Sequence, residues 1–522
     1  MPETVNRRLF LLGGAGAVAV VAGAAGLTQA GASQGAGLAQ PLGDVFTLGV
    51  ASGEPTATGI VLWTRLARDP VAENGLGGMP DRAVPVQWQL SKNEQFTKIV
   101  RAGNALAGPD AAHSVHVEVE GLAPGTEYFY RFRSGKAVSR VGRTRTAPAP
   151  GALGALTMCF ASCAHYGEGY FTAYRRLAED HPDLVLHLGD YQYEYASKAK
   201  DVRKVLGPET VELADYRLRH GQYKTDADLQ LAHATAPWQV VFDDHETENN
   251  WAGEIPEASS QTPQGPAFMA RRKAAFQAYY ENMPLRRSAK PRGSDIQLYR
   301  RLNWGSLATF HMLDTRQYRD DQACGDGVKA GCDERLNPTR SITGERQEKW
   351  LVDGFHSSNA RWDVLGQQVF FSQIDLTPGA AEGYNMDAWD GYKANRDRIA
   401  SAMGNSRVRN GVVLTGDVHR HWAAEIKETY GSPDSKGVGT EFITTSITSG
   451  KDGDDGTNQA VLDENPHVKF HKNRRGYVRT KFTAGELRAD YRIVPYVSKP
   501  DATAETAASF VVEDRDPTLH RA

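Results

Sequence analysis

The sequence predicts an α/β protein in two parts, an N-terminal β-sandwich followed by a larger domain of buried sheets flanked by helices. Three observations predict it. Between Gly43 and Thr146 apolar and polar residues alternate in short runs, the period-2 signature of half-buried strands. From about residue 155 the apolar residues come in continuous runs instead, as strands covered on both faces require. Between the two lies APAPGALG, residues 147–154, whose Pro, Gly and Ala content suits a linker. At 522 residues the chain exceeds the roughly 250–300 at which one core stops growing, and it divides into 1–34, 41–146 and 155–522.

Residues 1–34 have the pattern of a targeting segment. Arg7 and Arg8 form its charged start, Leu9 to Leu27 is uncharged and rich in Ala and Gly, and Ala30 and Ala32 offer cleavage sites. NRRLFLL resembles a twin-arginine export signal, with Asn6 and Leu12 where that pattern has Ser or Thr and Lys. The expected destination is outside the cell, at its surface or in the periplasm, with the twin-arginine machinery as a partner. A retained membrane anchor is the alternative, because the run is just long enough to span a bilayer.

In 41–146 the expected strands are VFTLGVAS, GIVLWTRL, VPVQWQLS, HSVHVEVEGL, EYFYRFRS and SRVGRTRT. LAPGTEYFY, Leu122 to Tyr130, resembles the tyrosine-corner strand of fibronectin type III and immunoglobulin-like domains, which makes Tyr128 structural. In 155–522 the expected strands are ALTMCFA, DLVLHLGD, WQVVFDD, LATFHMLD and GVVLTGD. Gly169 to Asp180 and Pro266 to Met283 supply helical faces, the second with Arg271, Arg272 and Lys273 on a solvated side. ASFVVEDR is expected to form a last strand.

Lys and Arg number 60 against 63 Asp and Glu, for a formal net charge of −3. That balance argues against a counterion-releasing nucleic-acid surface and against a basic membrane-binding face. Of the four cysteines, Cys159 and Cys163 share an apolar run, whereas Cys324 and Cys332 flank a Gly-rich loop, where an exported protein favours a disulfide.

Several apolar runs end in acidic or metal-ligand residues at the same point. The carboxyl ends of parallel strands share an edge, so residues just past them converge. The pieces are FASCAH with Cys163 and His165, HLGDYQYEY with Asp190 and Tyr193, and VFDDHETENN with Asp243, Asp244, His245 and Asn250. MLDTRQYR adds Asp314, Arg316 and Arg319, and LTGDVHRHW adds Asp417, His419 and His421.

Taken together, GDxxY, DDHE and GDVH resemble the metal-ligand blocks of the calcineurin-like metallophosphoesterases, in the variant form carried by the alkaline phosphatase D family. The likeness runs from Gly43 to GDVHRHW. Ordinary members of the superfamily have Asp-x-His where this chain has Ser162-Cys163, Asn where it has Asp244, and a pair of His where it has Asp417 and His419. The resemblance implies a fibronectin-III or Ig-like β-sandwich followed by the αββα sandwich of that superfamily. It implies Fe3+ on Cys163, Asp190, Tyr193 and His419, a donor set of thiolate, phenolate, imidazole and carboxylate that suits trivalent iron. Asp190 would bridge to one or two Ca2+, for which Asp244, Asp417 and Asn250 offer hard oxygen ligands.

The activity implied is hydrolysis of phosphodiesters and phosphomonoesters by a metal-activated oxide or hydroxide. His245 would stabilise charge or protonate the leaving oxygen, and Arg316 and Arg319 would contact phosphate. A phospholipase D of the same fold, acting on phosphatidylcholine-like lipids, is an alternative that these residues do not separate. A non-catalytic binding protein is another, but it predicts a broken ligand set and the blocks here are intact. The expected partners are small phosphate esters or phospholipids, without specific nucleic-acid binding, and the protein is expected to be a monomer. Structural roles compete at several positions: packing for Cys159, Tyr191, Tyr195 and His187, support around the pocket for His165, His220 and His421, and orientation of ligands for Asp243.

Overall fold

In the computed structural model, which describes residues 43–432 and 434–522, two mixed sheets face each other and share a core. The expected targeting segment at 1–34 lies outside the described residues. No helix among the described residues is long and apolar enough to cross a membrane.

The first sheet has ten strands, in the order His520–Arg521, Glu505–Glu513, Glu486–Val494, Arg475–Phe482, Leu156–Ala161, Leu184–Leu188, Pro237–Val241, Val50–Gly53, Ile60–Arg65 and Ser114–Val119. The second has seven, in the order Arg300–Trp304, Ala308–Met312, Trp362–Gln367, Gly411–Thr415, Gly437–Ile443, His421–Lys427 and Val468–Lys472. The middle strands run parallel in each: Leu156–Ala161, Leu184–Leu188 and Pro237–Val241 in the first, and Ala308–Met312 through Gly437–Ile443 in the second. All five apolar runs expected as strands are among these parallel strands, divided between the two sheets.

Burial on both faces explains why these strands are continuously apolar. Every residue of Trp362–Gln367 and Gly411–Thr415 is buried. Val364, Val412 and Leu414 enter the core shared with the first sheet. Their neighbours Leu365 and Val413 face the opposite way and pack with Leu351 and Phe355 of the helix Gly344–His356 and Ile399 and Met403 of the helix Lys393–Gly404. Helices Thr172–Glu179, Ala227–Thr235 and Pro266–Asn282 pack on the first sheet through Leu177, Leu229 and Phe276. The layers therefore run helix, sheet, sheet, helix. Each large apolar side chain buried this way contributes about 1.5–3 kcal/mol.

In the N-terminal part, Val84–Ser91 lies between Ile99–Ala107 and Glu127–Ser134. Val86, Leu90, Tyr130 and Phe132 from this layer pack against Val50, Ile60 and Leu62. Ile99–Ala107 is a strand that alternation does not reveal, because it is an edge strand with few buried residues. The opposing layer does not stop at the linker. Val50–Gly53 pairs in parallel with Pro237–Val241, Ser52 opposite Pro237 and Gly53 opposite Trp238, so the strands of the expected 41–146 domain continue the large sheet. Ile60–Arg65 is consequently buried along its whole length, with Trp63 Nε1 donating to the Glu281 carbonyl at 3.0 Å.

The helix Pro266–Asn282 corrects one expectation. Lys273 is exposed, but Arg271 and Arg272 are buried. Arg271 pairs with Glu248 and with Glu209, at 2.9 Å for the latter, and Arg272 pairs with Asp295 at 2.9 Å. The two arginines are buried while their carboxylate partners range from buried Glu248 to exposed Asp295, because the loops that carry those carboxylates fold over the helix. Cys324 and Cys332 form a disulfide, while Cys159 and Cys163 are free and buried.

Candidate metal centre

The carboxyl ends of the parallel strands of both sheets open onto one place. Cys163 follows Leu156–Ala161, Asp190 follows Leu184–Leu188, Asp243 to His245 follow Pro237–Val241, and Asp417 and His419 follow Gly411–Thr415. Five of the seven expected metal ligands leave their elements with left-handed backbone: Cys163 at φ 61°, Asp190 at 56°, Asn250 at 48°, Asp417 at 58° and His419 at 57°. Asn, Asp and His tolerate that region better than most residues, but Cys does not, and such strain collects where the surroundings hold a side chain in place. At Cys163 the backbone N–H donates to the Gly189 carbonyl at 3.2 Å, and the next N–H donates to the Asp190 carbonyl at 2.8 Å.

Two ligand groups form, and Asp190 belongs to both. Cys163, Asp190 and His419 place ligand atoms within 4.8 Å of one another. The Tyr193 hydroxyl joins them, donating to Asp190 Oδ2 at 2.8 Å and lying 3.1 Å from His419 Nε2. Ser449 Oγ stands behind, 2.8 Å from the Tyr193 hydroxyl and 3.0 Å from the Cys163 carbonyl. In the second group, Asp190, Asp244 and His245 again lie within 4.8 Å. Asn250 N–H donates to Asp244 Oδ2 at 2.7 Å, and its side-chain amide donates to Asp326 Oδ2 at 2.6 Å.

These groups fit cations. Asp190 Oδ1, Asp243 Oδ2 and Asp244 Oδ1 are buried without a hydrogen-bond partner among the described residues, and a buried polar atom left so is costly unless something else satisfies it. Burial pushes the Asp190 carboxyl well above the carboxylate range. It does the same to Asp417, with Asp243, Asp387 and Asp244 adding like charge. Burial also raises Cys163 and Tyr193, and Asp190 raises both further. Positive charge placed among them would reverse those penalties. His419 keeps some surface, yet desolvation by the protein around it, then Arg475 and His245, lower it to about 3, which leaves the neutral imidazole a ligand needs.

His245 is set apart from the ligands by its own partner. Its Nδ1 lies 2.8 Å from Glu194 Oε2, and its ring stacks on Tyr193 with centroids 4.1 Å apart. Burial would lower its pKa, but Glu194, Asp244 and Asp190 outweigh that and raise it well above the ordinary value. Asp244 shows the reverse balance: burial would raise it, and His245 and Arg316 hold it below the usual range.

Arg316 is not where a phosphate contact was expected. Its side chain is fully buried, Nε donates to Asp243 Oδ1 at 2.6 Å, and Nη1 and Nη2 each donate to Asp387 at 2.9 Å. Arg319 is held from the same side by the Asp387 carbonyl at 2.6 Å and the Tyr392 hydroxyl at 3.1 Å. Both guanidiniums neutralise acidic residues from behind the site. Asp314 is turned inward too, accepting from the N–H groups of Arg316 and Gln317.

His165 is near, its ring 4.6 Å from Tyr193, and Tyr195 reaches the rim with its ring 5.4 Å from that of His245. His421 accepts from the Thr445 N–H at 3.1 Å. His187 is buried with Nε2 2.8 Å from the Tyr174 hydroxyl. His220 is buried between Tyr191 and Tyr279, and the Tyr191 hydroxyl points away to His233 and Lys224.

Sequence reasoning passed over Glu194, Glu246, Asp387 and Ser449. Glu246 accepts from the N–H groups of Asp190 at 3.1 Å, Tyr191 at 2.7 Å and Asp243 at 2.9 Å, and so ties two strand ends together. Glu194 and Glu246 lie inside GDYQYEY and DDHE, where a buried acid beside ligands was a usable signal. Asp387 and Ser449 lie in loops with no such mark.

Known proteins resemble this chain in sequence and in fold. Residues 158–491 match the PhoD-like phosphatase family, and residues 31–148 match the N-terminal domain of the same family. Alkaline phosphatase D of Bacillus subtilis (strain 168) is 50% identical over 484 residues, which cover 91% of this chain and 82% of that protein. A solved structure of PhoD superposes with a TM-score of 0.88 at 50% identity, over 91% of this chain and 92% of that one. The purple acid phosphatase PPD1 from yellow lupin (Lupinus luteus) seeds shares the fold, with a TM-score of 0.53 at 12% identity over 89% of this chain and 73% of that one.

Proposed function

The chain belongs to the PhoD-like phosphatase family and is a phosphoric ester hydrolase, and from that premise we propose an exported phosphodiesterase and phosphomonoesterase whose centre holds Fe3+ beside Ca2+. The observation that carries the reading is the shared carboxylate: Asp190 stands in both ligand groups, where it would serve two cations at once. Cys163, Asp190, Tyr193 and His419 would hold the iron, since a thiol and a phenol this deeply buried ionise at a high-charge cation. Asp190, Asp244, Asp417 and Asn250 would hold the calcium, offering oxygen alone.

Bound there, the metals supply the positive charge that the non-bridging phosphate oxygens need and an ionised nucleophile at working pH. The chain's own part is acid–base chemistry and alignment. His245 donates Nδ1–H to Glu194, which leaves Nε2 as the free end of the ring, and the Glu194 carboxylate favours the protonated imidazole. That proton is the one given to the leaving oxygen. Glu246 keeps the Asp190 and Asp243 backbones in register, and Arg316 orients Asp243 and Asp387 and favours their ionised forms.

Two features support the finer readings. The Tyr128 hydroxyl accepts from the Ala123 N–H at 3.0 Å, the local tie of a tyrosine corner, and we take the N-terminal sandwich as fibronectin-III or Ig-like. The Cys324–Cys332 disulfide suits an oxidising compartment, and with Arg7-Arg8 and the Ala/Gly-rich run behind them it supports twin-arginine export.

The test is a visible spectrum, a metal count, and a phosphodiester assay with and without a calcium chelator on the purified protein. A charge-transfer band that Tyr193→Phe abolishes, bound iron, and activity lost on chelation are expected. A colourless, iron-free protein that cleaves diesters without calcium overturns the reading.

A further inference from the structure

The disulfide closes a small module against the calcium side of the site. Cys324 and Cys332 are eight residues apart. Between them Val328–Ala330 pairs antiparallel with Gly383–Asn385, and Met386 N–H donates to the Gly327 carbonyl at 3.0 Å. The buried apolar cluster of this module consists of Ala323, Cys332, Tyr384 and Met386. With so small a core, the covalent link adds to the strand pairing in holding the loop.

Two contacts lead from the module to an expected ligand. The Asn250 side-chain nitrogen donates to Asp326 Oδ2 at 2.6 Å, and Gln322 Nε2 donates both to the Asn250 carbonyl at 2.8 Å and to Asp387 Oδ1 at 2.7 Å. The first of these decides which end of the amide remains. A carboxylate only accepts, so it fixes the NH2 group of Asn250 toward itself and leaves the amide oxygen as the end free for other use. Calcium takes oxygen and is repelled by an NH2 group. Without Asp326 the amide has no such reason to prefer one orientation.

We propose that Asp326, held by the Cys324–Cys332 disulfide, is a positioning residue for calcium: it captures the Asn250 nitrogen so that the Asn250 oxygen faces the cation. The inference rests on reading Asn250 as a calcium ligand. Iron-loaded full-length protein, stripped of calcium with a chelator, is titrated with calcium chloride by calorimetry while its visible band is recorded. Asp326→Ala is expected to weaken calcium binding about tenfold or more, the effect typical of a lost partner of a metal ligand, and to leave the iron band unmoved. Asp326→Asn keeps an acceptor oxygen and is expected to recover most of that loss. Replacing both cysteines, Cys324→Ser with Cys332→Ser, is expected to weaken binding as well.

Asp326→Ala protein that binds calcium as tightly as the wild type overturns the proposal, and unchanged affinity in the double serine variant overturns the part given to the disulfide. Wild-type protein that takes up no calcium overturns the underlying assignment of the site, and the proposal with it.

Discussion

His245 Nδ1 and Glu194 Oε2 lie 2.8 Å apart, both side chains buried. Asn249 N–H holds the other Glu194 oxygen at 2.8 Å, so the carboxylate is a fixed post and the imidazole has one orientation. Glu194→Gln should therefore lower kcat about 10- to 100-fold on alkyl phosphodiesters, whose leaving oxygen needs a proton. The loss should be much smaller on aryl esters with acidic leaving groups. Steady-state kinetics across a leaving-group series checks it, and an equal loss throughout would count against His245 as the acid.

Because Asp190 stands in both ligand groups, Asp190→Asn should remove more than one metal. The iron band should disappear, calcium affinity should fall in the same protein, and diester hydrolysis should drop by more than about a hundredfold. Metal analysis beside the assay distinguishes this from loss of a single ion.

Arg316 neutralises Asp243 and Asp387 at 2.6 and 2.9 Å. Arg316→Ala leaves Asp243 buried without its counter-ion and leaves Asp387 to Arg319 alone, 3.0 Å away, which costs about 3–5 kcal/mol. Urea denaturation with metals saturating should show that loss. Near wild-type stability with only a raised KM would instead assign Arg316 to substrate phosphate.

Burial alone lowers the His187 pKa to about 3, against about 6.5 in an unfolded chain. Between those values the unfolded state binds a proton that the folded state refuses. Its contribution to stability is thus whole above about pH 6.5 and is lost as pH falls toward 3, by at most about 1.4 kcal/mol per pH unit. His187→Phe sacrifices the bond to Tyr174 at every pH but should flatten this acid slope, as denaturation at a series of pH values would show.

What could be read before folding was whatever a single strand and its end display. DLVLHLGD and GVVLTGD announce a strand by a short, mostly apolar run and a ligand by the acid just past it, because a strand covered on both faces has few polar positions until it emerges. The same logic reached Cys163 at the end of ALTMCFA. It did not separate the five strands into two facing sheets, since a parallel strand looks alike in either, nor did it reveal that Val50–Gly53 joins the large sheet beside Pro237–Val241.

The sequence by itself determined which residue types stand at the strand ends, and with them the family and the donors on offer. Only the tertiary structure decided what each charge faces. Arg271 looks like a surface residue until Glu248 and Glu209 close on it, and Arg316 looks like a phosphate clamp until Asp387, seventy-one residues on, occupies it. Strand formation follows from a local pattern, whereas the partner of a buried charge comes from long-range packing that no neighbouring residue records.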